Sequence, residues 1–272
     1  MGRILQAVLL TAAAAMLVAL ASSAGRAGSD KPPPWKPFLP TDDYQEVSKR
    51  SLERIRTLAK DDSATAALRA EALILAGYTI SAKDAAALAG VRQKAIKVAT
   101  LAAGKDTAAE ARKLAAELTA AKGDAKAAKE TIDWPAAIGD IVDVMTPLAA
   151  KSKGGDGIAV ELQFNAKVKS SNGVEALLIG LAQKQLSAAN AGKMAKELEL
   201  VGFRVATIGA LTRRRGPHKN KDDAKRWDDQ SVVMRDAGVD LAETAGKKNA
   251  AGILAASKRL VDSCVECHAN FK

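Results

Sequence analysis

The sequence predicts an all-α protein arranged as two tandem antiparallel four-helix bundles, and three observations lead there. The first is composition: aromatics make up only 3% of the 272 residues, while Ala, Leu, Lys and Glu abound. That mixture favours helices with close, small-side-chain contacts. The second is periodicity, with apolar residues recurring at helical spacing and few runs alternating as strands do. The third is an internal repeat. Residues 71–78 (EALILAGY) match 196–203 (KELELVGF) at an offset of 125, and residues 93–118 match 235–260 at an offset of 142. The difference of 17 residues reads as an insertion in the later copy, at the charged stretch 213–229 (RRRGPHKNKDDAKRWDD). Order and spacing agree along both copies.

From the N-terminus, residues 1–24 read as a signal peptide. Arg3 supplies the positive start, residues 8–20 an Ala-rich apolar stretch, and Ala21-Ser22-Ser23-Ala24 the small residues of a cleavage site. The apolar run is short for a spanning helix, so the expectation is export with no membrane span after cleavage, the alternative being an uncleaved membrane anchor. Residues 25–40 contain SDKPPPWKPFLP, a proline-rich linker expected to be extended. The first bundle, 41–122, is expected as helices over 41–60, 63–81, 85–103 and 106–122. A connection, 123–172, follows, with one short helix over 136–148 and an extended piece over 158–168. The second bundle, 173–272, is expected as helices over 173–185, 189–211, 229–245 and 249–269. Ser187, Asp229 and Asn249 are N-cap candidates, and Gly246 is a stop signal. Short connections imply antiparallel neighbours.

The only two cysteines lie in the last nine residues, within Cys264-Val265-Glu266-Cys267-His268. This is the C-x-x-C-H pattern of covalent haem c attachment. Thiols three residues apart on a helix point the same way, so each reaches one vinyl group of the porphyrin. The next histidine can then bind the iron as axial ligand. A closed zinc site would need four N/S ligands, and only His218 remains as a further candidate. A thioredoxin-like motif would need a strand beside it, and none is visible. In the expected last helix Leu254, Ser257, Val261, Cys264 and His268 are spaced 3, 4, 3, 4, a seam expected to face the bundle core. At the 142 offset Cys264, Cys267 and His268 fall on Lys122, Ala125 and Lys126. The first bundle therefore lacks the ligands, and one haem per chain is expected.

The net charge is +10. The ordinary reading is a solvated basic surface, and the other is steering toward an acidic redox partner protein. Nucleic acid is not expected, since the aromatic platforms of single-strand binders are missing. An enzyme is not expected either: no acid–base pair, P-loop or nucleophile elbow is visible.

The C-terminal half resembles the class II cytochromes c, the cytochrome c′ and cytochrome c-556 family, whose four-helix bundle carries C-x-x-C-H near the end of its last helix. The likeness is carried by the motif, by Phe271 and Lys272 after it, and by residues 242–264 (AETAGKKNAAGILAASKRLVDSC) before it. It extends over about 229–272, is weak over the preceding helices, and reaches the first copy only through the repeat. The duplication and the linker depart from the family's single bundle. The resemblance implies Cys264 and Cys267 as thioether sites and His268 as proximal ligand. Lys272 lies on the same helix face, where its charge either tunes the haem or is simply solvated. Covalent haem attachment happens outside the cytoplasm, which agrees with the signal segment, so a periplasmic or otherwise exported protein is expected.

The sixth iron position separates the functions. The family's cytochromes c′ leave it open behind apolar side chains and bind NO or CO, and its c-556 members fill it with methionine and transfer electrons. Helix 173–185 offers Leu177, Leu178 and Leu181 and no Met or His. Met145 is a candidate sixth ligand, against its ordinary use as a core filler. Met194 and Met234 read as core, and His218 as a solvated loop residue. The leading expectation is an exported monohaem electron-transfer protein. The alternatives are a gas-binding haem protein and an interaction module whose haem is non-catalytic.

Overall fold

Helices begin where polar side chains can satisfy otherwise unpaired backbone N–H groups. In a computed structural model, which describes residues 36–118, 132–149, 155, 172–214 and 220–271, Ser187 Oγ accepts from the Asn190 N–H at 3.2 Å and Asn249 Oδ1 from the Gly252 N–H at 3.1 Å. Both caps are the expected ones. The helices are α1 (Thr41–Leu58), α2 (Thr65–Ser81), α3 (Ala89–Ala102), α4 (Ala108–Ala116), α5 (Trp134–Ile138), α6 (Ile141–Met145), α7 (Val174–Gln183), α8 (Ala188–Thr212), α9 (Lys221–Gly246) and α10 (Ala250–Asn270). Single 3₁₀ turns precede α2 and α3 and follow α6. Every element among the described residues is helical, so the protein is all-α.

Three local differences from the sequence reading have physical causes. The charged stretch expected as a loop up to Asp229 is helical from Lys221. Asn220 caps that start through the Asp223 N–H, Asp222 and Asp223 complement the helix dipole, and Trp227 anchors the new turns inward. The helix expected over 136–148 is broken into α5 and α6 at Gly139, where φ is +60°. A side chain there would collide with the Arg69 guanidinium, which donates to the Ile138 carbonyl at 2.6 Å and to Asp143 at 2.8 Å. The end of the proline-rich linker is extended as expected, but it is also fastened. Leu39 is fully buried and bridges Ala82, and the Phe38 and Leu39 N–H groups both donate to the Ser81 carbonyl. The expected signal peptide, most of the linker, residues 119–131 and the piece expected as extended over 158–168 lie outside the described residues.

All described residues fall in one compact unit. In the first stretch α2 packs on α1 and α3, and α4 on α3 and α1. In the later stretch α9 packs on α8 and α10, and α10 on α7. The α8–α9 crossing is tight. A Cβ on Gly202 would meet the Ala242 backbone nitrogen at 2.5 Å, and one on Gly238 the Ala206 nitrogen at 2.6 Å. Small residues on both faces let the two backbones touch.

The two stretches meet where α2 packs against α8. Residues 68–79 of α2 are all buried, as a helix enclosed on every side must be. At this contact Glu71, 1% exposed, receives a bidentate pair from Arg204 at 2.5 and 3.1 Å. Ser51 Oγ also donates to Glu71, and Arg54 approaches at 3.5 Å. Burial pushes the Glu71 carboxyl up, but the Arg204 guanidinium, helped by Ser51 and Arg54, outweighs it and holds the group below the usual carboxylate range. The offset of 142 sets Ala108, the first residue of α4, opposite Ala250, the first residue of α10.

Candidate functional site

Helix α10 carries the motif. Its alanine-rich opening and Asn249 cap start it, and its core stripe is Ile253, Ala256, Ser257, Leu260 and Ser263. The expected seam shares only Ser257 with that stripe and otherwise lies beside it. Ser257 is buried, Leu254, Val261 and Cys264 are half-buried, and His268 is exposed. The reason is a shift in helical phase. The buried positions are 253, 256, 257, 260 and 263, so the expected row is on the buried stripe at 257 and turns outward through 261, 264 and 268 toward the C-terminus.

Both cysteines are free and half-buried, while Val265 and Glu266 between them are exposed. Burial pushes the Cys264 thiol up, with the neighbouring Cys267 and then Glu175 of α7 adding to it and a contact with Ser263 opposing. Burial likewise pushes the Cys267 thiol up. Both sulfurs therefore carry their protons at neutral pH in this fold. The pair and the imidazole occupy the last turns of one helix, where Cys264 feels Glu175 in the first turn of α7.

Two contacts fasten that end of α10 to the start of α9. The Phe271 ring meets Trp227 edge-on, with centroids 5.0 Å apart, and the buried Trp227 donates its Nε1–H to the Thr212 carbonyl at 2.7 Å. Gln230 donates its Nε2–H to Glu266 at 2.5 Å, while its Oε1 is buried without a hydrogen-bond partner. Sequence reasoning missed both Trp227 and Gln230. The scarcity of tryptophan was the one available hint, and it was obscured because the surrounding residues read as a charged loop.

The remaining candidates divide. Leu177, Leu178 and Leu181 of α7 are all buried, on the helix that packs against α10. Met145 is half-buried on α6, which packs on α2 and α8. Met194 and Met234 are core residues, as expected. His218 and Lys272 lie outside the described residues. Among the described residues there is no cluster of three or more His, Cys, Asp or Glu fit to hold a metal ion, and no helix is long and apolar enough to cross a membrane.

The residues present suit a covalently held haem. Two free thiols and an imidazole stand on one helix end, neither sealed in the core nor consumed by other bonds. A c-type haem needs that donor set and no further metal-binding side chain. No protein-family model, curated protein or solved structure matches the chain.

Proposed function

We propose that this protein is an exported c-type cytochrome of the cytochrome c′/c-556 kind, with one haem c per chain, acting in electron transfer. The observation that carries the reading is the shared position of Cys264, Cys267 and His268 on the last turns of α10, a helix that packs on α7, with both thiols free and half-buried. Cys264 and Cys267 would each add S–H across a vinyl double bond: a carbon–sulfur bond forms, the π bond is lost, and the proton ends on the adjacent carbon. His268, exposed at the helix end, would supply its imidazole to iron. The group so held would supply a one-electron couple. The buried leucines of α7 exclude water from the side that faces α10 and provide no ligand atom. Phe271, through Trp227, and Glu266, through Gln230, hold the helix end against α9.

The tandem-bundle reading rests on the repeat, on the matching starts of α4 and α10, and on the parallel packing order of the two stretches. In that reading α1–α4 are a haem-free bundle that serves as a permanent partner of the second, through α2 and α8.

A specific observation favours the gas-binding reading of the sixth position. Met145 belongs to a helix packed on α2 and α8, whereas the thiols belong to a helix packed on α7 and α9. Absorption spectra of the mature chain, produced with haem-attachment machinery and recorded with and without carbon monoxide, separate the readings. Haem that resists acidified-solvent extraction, and is released when Cys264 and Cys267 are both changed to Ala, is the expected result. A ferrous spectrum that shifts with carbon monoxide would assign the open form, and one that ignores it the electron-transfer form with a sixth protein ligand. A chain that leaves the same machinery without covalent haem would overturn the proposal.

A further inference from the structure

The last turn of a helix is its loosest part, because its final carbonyls lack partners within the helix. His268 stands there, close to the end of α10 at Asn270. Residues on both sides of it are nevertheless fixed to α9. Phe271 meets Trp227 edge-on at 5.0 Å, and Glu266 accepts from Gln230 at 2.5 Å. We infer that Trp227 and Gln230 are positioning residues for the axial histidine, bracing α10 after and before His268 so that a fixed backbone presents the imidazole to iron. The inference rests on the haem reading of Cys264, Cys267 and His268.

Trp227 is itself anchored. It is buried, and its Nε1–H donates at 2.7 Å to the carbonyl of Thr212, the last residue of α8. Beside it Arg213 donates to Asp228 at 2.7 Å, and the Thr212 and Ser231 hydroxyls lie 3.2 Å apart. These contacts tie the end of α8 to the start of α9, so the indole offers Phe271 a fixed ring. The last turn of α10 is also closed on itself. The Phe271 N–H donates to the Cys267 carbonyl at 3.0 Å, and the Asn270 side chain to the Glu266 carbonyl at 2.9 Å. A ring held at Phe271 thus constrains the backbone that carries both Cys267 and His268.

Comparison of the two copies singles out the same residues. Trp227 and Asp228 belong to the stretch 213–229 that the first copy lacks. At the offset of 142, Gln230 falls on Leu88 and Phe271 on Lys129. The first copy therefore has neither the motif nor the brace. Leu88 is buried and fills its place at no polar cost. Gln230 leaves its Oε1 buried without a hydrogen-bond partner, a penalty set against its bond to Glu266. Holding the helix end beside an axial ligand gives that penalty a use.

The test has two readouts on the full chain. One is proton NMR of the haem-loaded ferric protein, which reads the paramagnetically shifted resonances of the axial imidazole. The other is hydrogen exchange of the same chain before loading. Phe271→Leu removes the ring and keeps Trp227 on Thr212, and Gln230→Leu removes the bond to Glu266. Each should move and broaden the imidazole resonances. Each should also speed exchange over residues 266–271 by roughly two- to tenfold, the range one aromatic contact supplies. Trp227→Phe keeps a ring beside Phe271 but loses the Thr212 bond, so it should lower stability and leave the resonances nearly in place. Asn249→Ala, which loosens the opposite end of α10, should leave them in place as well. Resonances unmoved by both Phe271→Leu and Gln230→Leu, in a chain that carries covalent haem, would overturn the brace alone. Resonances displaced equally by Asn249→Ala would also overturn it, tracing the change to general loosening. A wild type without covalent haem would overturn the haem reading and this inference with it, whatever the exchange rates.

Discussion

Replacing Glu71 by Ala tests whether the α2–α8 contact holds the two stretches together. The carboxylate is 1% exposed and Arg204, its main partner, has a side chain 14% exposed. Removing the acid strands a guanidinium in a largely dry contact and leaves the Ser51 hydroxyl without its acceptor. Breaking a buried ion pair from one side costs about 3–5 kcal/mol. In a domain of this size each kcal/mol moves the unfolding midpoint by about 2–4 °C, so the variant should melt about 6–20 °C lower. The double variant Glu71→Leu with Arg204→Met should recover most of that loss, because both desolvated charges are gone. The same pair predicts the acid limb of stability. Its folded pKa is depressed below the ordinary 4.5, so its contribution is complete above that value and is lost as pH falls through the folded value. Urea unfolding of the wild type should weaken steadily below about pH 4.5, and the decline should be shallower in Glu71→Ala. A loss below about 1 kcal/mol, the scale of an exposed pair such as Arg50–Glu46, would refute the reasoning.

Gly202→Val should cost at least about 1–3 kcal/mol by urea unfolding, since its Cβ would strike backbone rather than a flexible side chain. Trp227→Phe keeps a ring beside Phe271 but strands the buried Thr212 carbonyl, a loss of about 1–3 kcal/mol in the same assay. Asn249→Ala removes the α10 cap and should cost about 1 kcal/mol, with hydrogen exchange at the first turn of α10 speeding up while α8 is unaffected.

Much of the helical layout was legible because its signals are local. Ser187 and Asn249 are caps whose hydrogen bonds close within three residues, and α9 stops at Gly246, as the sequence suggests. The chemistry of the C-terminus is local too. Two thiols and an imidazole within five positions must share one helix end once that segment is helical. The haem reading comes from the sequence alone, and the fold adds exposure and neighbours.

What the sequence could not settle depends on partners distant along the chain. Residues 221–228 look like a loop by charge, and they are helix because Asn220 caps them and Trp227 finds the Thr212 carbonyl and the Phe271 ring. The break at Gly139 follows from Arg69, some seventy residues earlier, taking the space a side chain would fill. The outward turn of His268 was misjudged because a spacing of 3 and 4 defines a stripe but not which stripe the neighbouring helices cover. Glu71 and Arg204, 133 positions apart, pair only because packing brings α2 against α8. Local hydrogen bonding and side-chain spacing thus determined the helices and the C-x-x-C-H cluster, whereas burial, which requires the whole chain at once, decided which faces meet and which charges must pair.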